Sequence, residues 1–191
     1  MIRVVLCLGF YLLLSACTAV PDSNHVEIAP DKFVSLPAPS DFQGTVSVNQ
    51  LITAKWSDTT QVLPVHLEIT GSDVVLVGFS SWGTRLLTIN YDGHTLEKEN
   101  LTGLGVVMPD GKQVLMNLML TLWPTSSWQT HLSQIGWQLV DDAATRTLID
   151  ENGETVVKIQ YDEPKVAGGI PADIKFEQVR QHYQIQIQTL E

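Results

Sequence analysis

The sequence predicts a mainly β fold, in which a strongly curved antiparallel sheet forms an unclosed half-barrel and one apolar helix covers its concave face. Three observations support this prediction. Apolar and polar residues alternate along many short segments, two of the intervening turns are Asp92-Gly93 and Asn152-Gly153, and one long apolar stretch, Lys112 to Trp123, lacks the alternation. Alternation puts one side of a strand in a core and the other in water, and such turns favour hairpins.

The alternating segments predict strands that follow one another along the chain as hairpins, which favours an antiparallel sheet. Residues 125–134 are expected to form a loop or a short helix. Pro64 has no backbone N–H, so its strand is expected to be an edge strand or to begin near that residue. The predicted strands lie at 45–54, 63–69, 74–79, 87–91 and 94–99 before the helix, and at 137–139, 146–149, 157–161, 174–177 and 183–188 after it.

The predicted helix is apolar on nearly every side. Leu118 and Leu122 lie on its main apolar face, and both are expected to be buried. A helix of this kind is either part of a core or faces an apolar ligand, and methionine side chains adapt to ligands of varied shape. The sequence leaves both alternatives open. On the ligand alternative, the predicted contacts are Met116, Met119, Leu120, Trp123 and Trp82.

The N-terminus has the order of a secretory signal. Arg3 precedes an apolar run, Val4 to Leu14, which ends in Leu14-Ser15-Ala16-Cys17. The run has about 11 residues and is shorter than the ~20 that a membrane-spanning helix needs. We therefore predict a signal peptide over residues 1–16. The alternative is an ordinary secretion signal followed by a buried cysteine.

The Ser-Ala-Cys sequence resembles the lipobox of bacterial lipoproteins. The resemblance implies cleavage before Cys17, a diacylglycerol on its thiol and an acyl chain on its amino group. In lipobox proteins an Asp after the Cys usually retains the protein in the inner membrane. Here Thr18 follows, which implies a lipid anchor in the outer membrane on its periplasmic side.

Residues 17–40 predict a lipidated cysteine followed by a flexible tether, because Pro21, Pro30, Pro37 and Pro39 fall in a polar segment. Part of this segment, Phe33-Val34, is a candidate for contact with the domain. Residues 41–191 are predicted to form one lipid-binding-like domain.

The composition narrows the possible partners and chemistry. The chain has a net charge of −10, which becomes −11 once Arg3 is removed with the signal, so nucleic acid is a poor partner. Cys7 leaves with the signal and Cys17 is lipidated, so no disulfide or cysteine nucleophile is expected. The five histidines are widely spaced, and residues 78–83 do not match a nucleophile elbow. We therefore predict no enzyme, no cofactor and no metal site.

Besides the lipobox, five segments carry a resemblance: Gln50 with the strand that follows it, 86–93, 118–124, Gly136-Trp137 and 183–190. On these segments the whole mature chain is similar to a family of short bacterial lipoproteins of unknown function, often encoded beside aryl-polyene biosynthesis genes. The architecture also resembles the LolA/LolB lipoprotein carriers, whose unclosed barrel holds acyl chains.

Two functions remain as hypotheses. In the first, an outer-membrane lipoprotein binds or hands over a lipid, acyl or polyene ligand in its half-barrel, with an exporter or carrier protein as a possible exchange partner. In the second, the protein is a non-catalytic accessory subunit that docks an export or envelope-assembly complex and has a filled core. A cavity between helix and sheet favours the first hypothesis.

Overall fold

The computed structural model describes residues 24–100, 110–164 and 168–190. The predicted signal peptide, Cys17 and the first part of the predicted tether lie outside these residues. The helices are α1 (Gly111–Leu122) and α2 (Thr125–Ser133), and a 3-10 turn covers Pro39–Phe42. The strands are β1 (His25–Ala29), β2 (Lys32–Ser35), β3 (Val46–Trp56), β4 (Thr59–Ile69), β5 (Val74–Phe79), β6 (Arg85–Tyr91), β7 (Leu96–Asn100), β8 (Gln138–Asp142), β9 (Thr145–Ile149), β10 (Thr155–Tyr161), β11 (Asp173–Gln178) and β12 (Tyr183–Leu190).

Ten strands form one antiparallel sheet in the order β7-β6-β5-β4-β3-β12-β11-β10-β9-β8, and β1 pairs with β2 in a separate hairpin. Strands β3 and β12 join the two halves of the sheet, with Trp56 opposite Tyr183 and Asn49 opposite Leu190. Within the described residues, the edge strands β7 and β8 do not pair, so the sheet is not closed. The predicted mainly β class with an unclosed antiparallel sheet is confirmed.

The sheet curves around α1. Strands β6 and β9 are seven strand spacings apart, which would be about 34 Å in a flat sheet, whereas a helix with its side chains is only about 10–12 Å wide. Leu87 of β6 nevertheless lines a cavity together with α1, and Arg146 of β9 donates a hydrogen bond to the Leu120 carbonyl of α1 at 2.8 Å. The helix therefore lies on the concave face of the sheet, as predicted.

Pro64 lies inside the sheet, and the expectation of an edge strand was wrong. Strand β4 pairs with β3 along its whole length, and Pro64 is opposite Leu51. Pairing with β5 begins only at Val65, opposite Gly78. The proline thus occupies a position where β4 has a neighbour on one side only, which is where the sheet tolerates a missing donor.

Helix α1 begins and ends where local chemistry sets its limits. The Asp110 carboxylate accepts a hydrogen bond from the Lys112 amide at 3.3 Å, which caps the first turn. Trp123 has extended backbone angles before Pro124, and the helix ends there. Leu118 and Leu122 are both buried, which confirms the expectation for this face.

The N-terminal segment packs on α1, which shortens the predicted tether. Val26, Ile28, Val34 and Leu36 are buried in the main core, whereas Phe33 is exposed. Lys112 of α1 donates to the His25 carbonyl at 3.0 Å. The predicted tether is shorter because apolar residues alternate at 26/28 and 34/36, which favours strands. The prolines of this segment interrupt the strands but do not prevent them from forming.

Helix α2 follows the sharp turn at Pro124 and confirms the short-helix alternative for this segment. Its Trp128 is fully buried, and the indole N–H donates to the Met119 carbonyl of α1 at 3.2 Å. The two helices and the β1–β2 hairpin thus pack together. In the described part of the chain, no helix combines the length and hydropathy needed to cross a membrane.

Candidate functional site

A cavity of about 340 Å³ lies between α1 and the concave face of the sheet. Of the described residues that line it, 13 are apolar, five are polar and none is charged. The apolar residues are Ile52, Ala54, Trp56, Leu63, Val65, Leu76, Leu87, Val114, Leu118, Phe176, Tyr183, Ile185 and Ile187, and the polar residues are Gln50, Gln61, Gln113, Asn117 and Thr121. Its volume falls at the lower end of the range for small-molecule sites.

The sheet builds its wall of the cavity through alternation and register. Every second residue of β3 from Gln50 to Trp56 points to the concave side, because side chains alternate along a strand. Antiparallel pairing places Ala54 opposite Ile185 of β12 and opposite Gln61 of β4. The side chains of these three residues therefore lie side by side on the concave face. A change of register by one residue would replace this apolar wall by the polar residues of the convex face.

The cavity is buried at its floor and open at its mouth. Val65, Leu76 and Leu87 are fully buried at the floor. Trp56 and Leu63 are only half-buried, although both are apolar. The lining thus runs from buried apolar residues to half-buried ones, and a concave, mostly apolar surface of this kind is typical of small-molecule sites.

The polar residues of α1 lie along the cavity. Gln113 donates to the Asn117 side-chain oxygen at 3.1 Å, and the Asn117 amide donates to the Tyr183 hydroxyl at 2.8 Å. Thr121, one turn further on, donates to the Asn117 carbonyl at 2.7 Å. Burial raises the pKa of the Tyr183 hydroxyl, while the hydrogen bonds from Asn117 and Gln113 act in the opposite direction. Tyr183 therefore stays a neutral phenol at physiological pH.

None of the five predicted ligand contacts lines the cavity. Met116, Met119, Leu120 and Trp123 are buried on the other sides of α1. Those sides face the rest of the core: the Trp123 ring lies 5.2 Å from Phe42, and its indole N–H donates to the Ala38 carbonyl at 2.9 Å.

Trp82 lies in the turn between β5 and β6 and is 92% exposed. It is outside the cavity walls because it lies in the turn, beyond the last paired residues of the two strands, Phe79 and Arg85. The structure thus does not bring Trp82 together with the other four predicted residues.

A polar stripe in the sequence carries the signal for the true cavity face of α1. Gln113, Asn117 and Thr121 are spaced by four residues and share one face with Val114 and Leu118. A helix that is otherwise apolar and covered must turn such a stripe toward water or a cavity. The concave-side residues of β3, β4 and β12, which recur at every second position of the sequence, form the other walls of the cavity.

The sequence profile of a family described as "protein of unknown function (DUF3261)" matches residues 47–191, more than half of the chain. The chain belongs to the DUF3261 family. No curated protein sequence matches it. The matched region of this DUF3261 member contains every residue that lines the cavity.

Several solved structures are similar in fold. A LolA superfamily protein from Nitrosomonas europaea has a TM-score of 0.44 at 10% identity, over 78% of this chain and 85% of that chain. A DUF1329 family protein from Desulfovibrio piger has a TM-score of 0.38 at 6% identity, over 76% and 83%. A putative outer membrane lipoprotein-sorting protein domain from Vibrio parahaemolyticus has a TM-score of 0.38 at 4% identity, over 78% and 84%. At these values the similarity assigns no ligand and no residue role.

A buried arginine holds the C-terminal end of α1 in this DUF3261 member. Arg146 of β9 is completely buried and donates to the carbonyls of Leu120 at 2.8 Å and Trp123 at 2.7 Å. Its guanidinium also binds both carboxylate oxygens of Asp141, at 2.5 and 2.8 Å. The last carbonyls of a helix lack partners within the helix and carry partial negative charge, so a cation there satisfies both needs. Arg146 was not identified as a site residue from the sequence.

The convex face of the sheet has a second, polar depression of about 260 Å³. Lys55, Lys158 and Lys175 lie around it with Glu177, and these side chains are exposed. Among residues 24–100, 110–164 and 168–190 there is no group of three or more His, Cys, Asp or Glu that could hold a metal ion. The apolar cavity is larger and has buried walls, so it is the better candidate for a binding site.

A buried carboxylate makes stability depend on pH. Burial raises the pKa of Asp150, but hydrogen bonds from the amides of Glu154 and Asn152 and from Arg180 outweigh it and hold the pKa at about 2. Because this value lies below the pKa of the unfolded chain, the stabilisation is complete above about pH 5 and is lost as the pH falls toward 2.

We expect the melting temperature of Asp150→Asn to lie below that of the wild type by a constant amount from pH 7 to pH 5. The difference should narrow between pH 4 and pH 2, as the wild-type carboxylate becomes protonated. Thermal unfolding monitored by circular dichroism measures it. A difference that stays constant down to pH 2 would contradict the role given to the Asp150 carboxylate.

Proposed function

We propose that this protein is a non-catalytic lipoprotein of the bacterial envelope that binds, or hands over, a lipid, acyl or polyene ligand in the cavity under α1. The uncharged, mostly apolar cavity carries the proposal. An acyl chain gains free energy wherever it replaces water on such walls, at about 25 cal/mol per Å² of apolar surface removed from water. A sugar or nucleotide would need many more polar partners than the five polar side chains and the Tyr183 hydroxyl of the described lining.

Native mass spectrometry of the protein purified from its own membrane tests this function. We expect a co-purifying hydrophobic molecule whose mass adds to that of the protein. The molecule should be lost when the protein is extracted with organic solvent and should return on incubation with a lipid extract. Protein that is always free of added mass and takes up nothing from the extract would contradict ligand binding.

We further propose that Cys17 anchors the protein to the outer membrane on its periplasmic side. The support is the signal-like segment 1–16, the small residues before Cys17 and the Thr18 that follows it. Two or more acyl chains give stable attachment, whereas one gives marginal attachment. In this position the cavity would face the periplasm, where a carrier or exporter could exchange ligand with it.

We expect Cys17→Ala to remove the lipid anchor. The variant should leave the outer-membrane fraction and appear in the soluble periplasmic fraction, while the wild type stays with the membrane in high salt. Sucrose-gradient fractionation with immunodetection measures this distribution. A variant that remains in the outer-membrane fraction at high salt would overturn the anchor.

A second candidate function is an accessory subunit that docks an envelope complex, and one observation favours it. Trp82 is a large apolar side chain that is almost fully exposed at the tip of the β5–β6 hairpin. Aromatic residues of this kind are common anchors in protein interfaces. In-cell crosslinking that depends on Trp82, combined with native protein that holds no ligand, would favour docking over ligand binding.

A further inference from the structure

The Tyr183 hydroxyl accepts a hydrogen bond from Asn117, and its own proton is left for another acceptor. Asn117 donates to its oxygen at 2.8 Å, and the Asn117 side-chain oxygen is itself occupied by Gln113 at 3.1 Å. Among the hydrogen bonds of the described residues, none has the Tyr183 hydroxyl as its donor, although the Gln113 side chain lies near it. A partly buried donor of this kind needs an acceptor from water or from a ligand.

The Tyr183 ring is fixed in position in the cavity wall. It stacks on Phe176 with the ring centroids 6.1 Å apart and the planes at 17°. The raised pKa keeps the hydroxyl protonated, so that it can donate but carries no charge. The Tyr183 hydroxyl is thus a neutral donor held in position in a mostly apolar wall.

No described residue of the cavity lining can compensate a buried negative charge. All of its lining residues are uncharged, and the polar ones are amides and hydroxyls. Transfer of a carboxylate from water into such surroundings is costly without a paired cation, whereas transfer of an ester carbonyl costs little once it accepts a hydrogen bond. The walls therefore discriminate between ligands with the same chain and different head groups.

We propose that the cavity selects apolar ligands that carry an uncharged acceptor, such as the carbonyl of a carboxylic ester, and that the Tyr183 hydroxyl donates to that acceptor. This specificity rests on the proposed function, because it names the class of ligand for the same cavity. Free fatty acids, which are anionic at neutral pH, are then weaker ligands than their neutral esters. Tyr183 is a specificity-determining residue in this arrangement.

The test compares three ligands with one chain length on the unlipidated mature protein (Cys17→Ala). Methyl dodecanoate, dodecanoate at pH 8 and dodecane compete with the uncharged fluorophore N-phenyl-1-naphthylamine. We expect the ester to compete best. Tyr183→Phe keeps the ring and removes the donor, and should weaken ester binding about 3- to 10-fold while leaving dodecane unchanged.

Tyr91→Phe is the matched control. It also removes a buried phenol hydroxyl, which donates to the Gly93 carbonyl at 3.0 Å, but it does not line the cavity. Ester affinity should therefore stay at the wild-type value in this variant, so that a general loss of stability is separated from loss of the donor.

The outcomes separate the two proposals. Equal binding of dodecanoate and methyl dodecanoate, or unchanged ester affinity in Tyr183→Phe, would overturn the specificity and leave the ligand-binding function intact. The comparison of the three ligands on the wild type holds even where Tyr183→Phe does not fold. Wild-type protein that binds neither the fluorophore nor any of the three ligands would overturn the ligand-binding function as well.

Discussion

Ala54→Phe should lower the affinity for an apolar ligand about 10- to 100-fold. Ala54 is a half-buried residue in the β3 wall, between Gln61 and Ile185 on the neighbouring strands. A phenyl ring there points into a cavity of about 340 Å³ and occupies space that the ligand needs. Overfilling a packed space costs about 1–3 kcal/mol, and each 1.4 kcal/mol is tenfold in affinity. Fluorescence titration with N-phenyl-1-naphthylamine measures the change.

Thr53→Phe is the control for this substitution. Thr53 precedes Ala54 and points to the convex face, beside Val62 and Gln186. The same ring placed there should leave ligand affinity unchanged. If Ala54→Phe binds the fluorophore as tightly as the wild type does, the ligand does not enter the cavity. If both variants lose binding equally, the effect is not local to the cavity.

Arg146→Met should lower the free energy of unfolding by about 3–5 kcal/mol, because it removes the donor from buried carbonyls at the end of α1, at about 1–3 kcal/mol each. The methionine fills similar space but donates no hydrogen bond, so the carbonyls of Leu120 and Trp123 are left unsatisfied in the core. Asp141 is 46% exposed at its side chain and can be hydrated, so most of the cost falls at the end of α1. For a chain of this size the melting temperature should fall by about 6–20 °C.

Lys158→Met gives the matched comparison, since it removes a cation from the exposed convex face. Its expected effect is within about 0.5 kcal/mol. Arg146→Lys should lie between the two, because it keeps the charge but loses the planar fork that reaches several acceptors. Chemical denaturation of the three variants measures these free energies. A wild-type free energy in Arg146→Met would mean that Arg146 does not hold α1 on the sheet.

Sequence periodicity predicted the strands well because each depends on nearby residues. The alternation of β12 and the turn at Gly153, where φ is 80°, are local features. Helix α1 was predicted to within one residue at each end, since Asp110 and Pro124 limit it. Strands β1 and β2 were not predicted. The prolines of this segment favoured a flexible tether, although Val26 and Ile28 alternate with polar residues.

Local patterns in the chain were enough to predict the class of fold, the position of the apolar helix α1 and the absence of charge along it from Val114 to Thr121. Which side of that helix lines the cavity depends on contacts between distant parts of the chain. The side with Met116 and Met119 is apolar enough to face a ligand, but the N-terminal segment, α2 and the second half of the sheet cover the helix away from the cavity. Those contacts join parts of the chain that are far apart in sequence, and no local pattern encodes them. The polar stripe that contains Asn117 therefore borders the cavity.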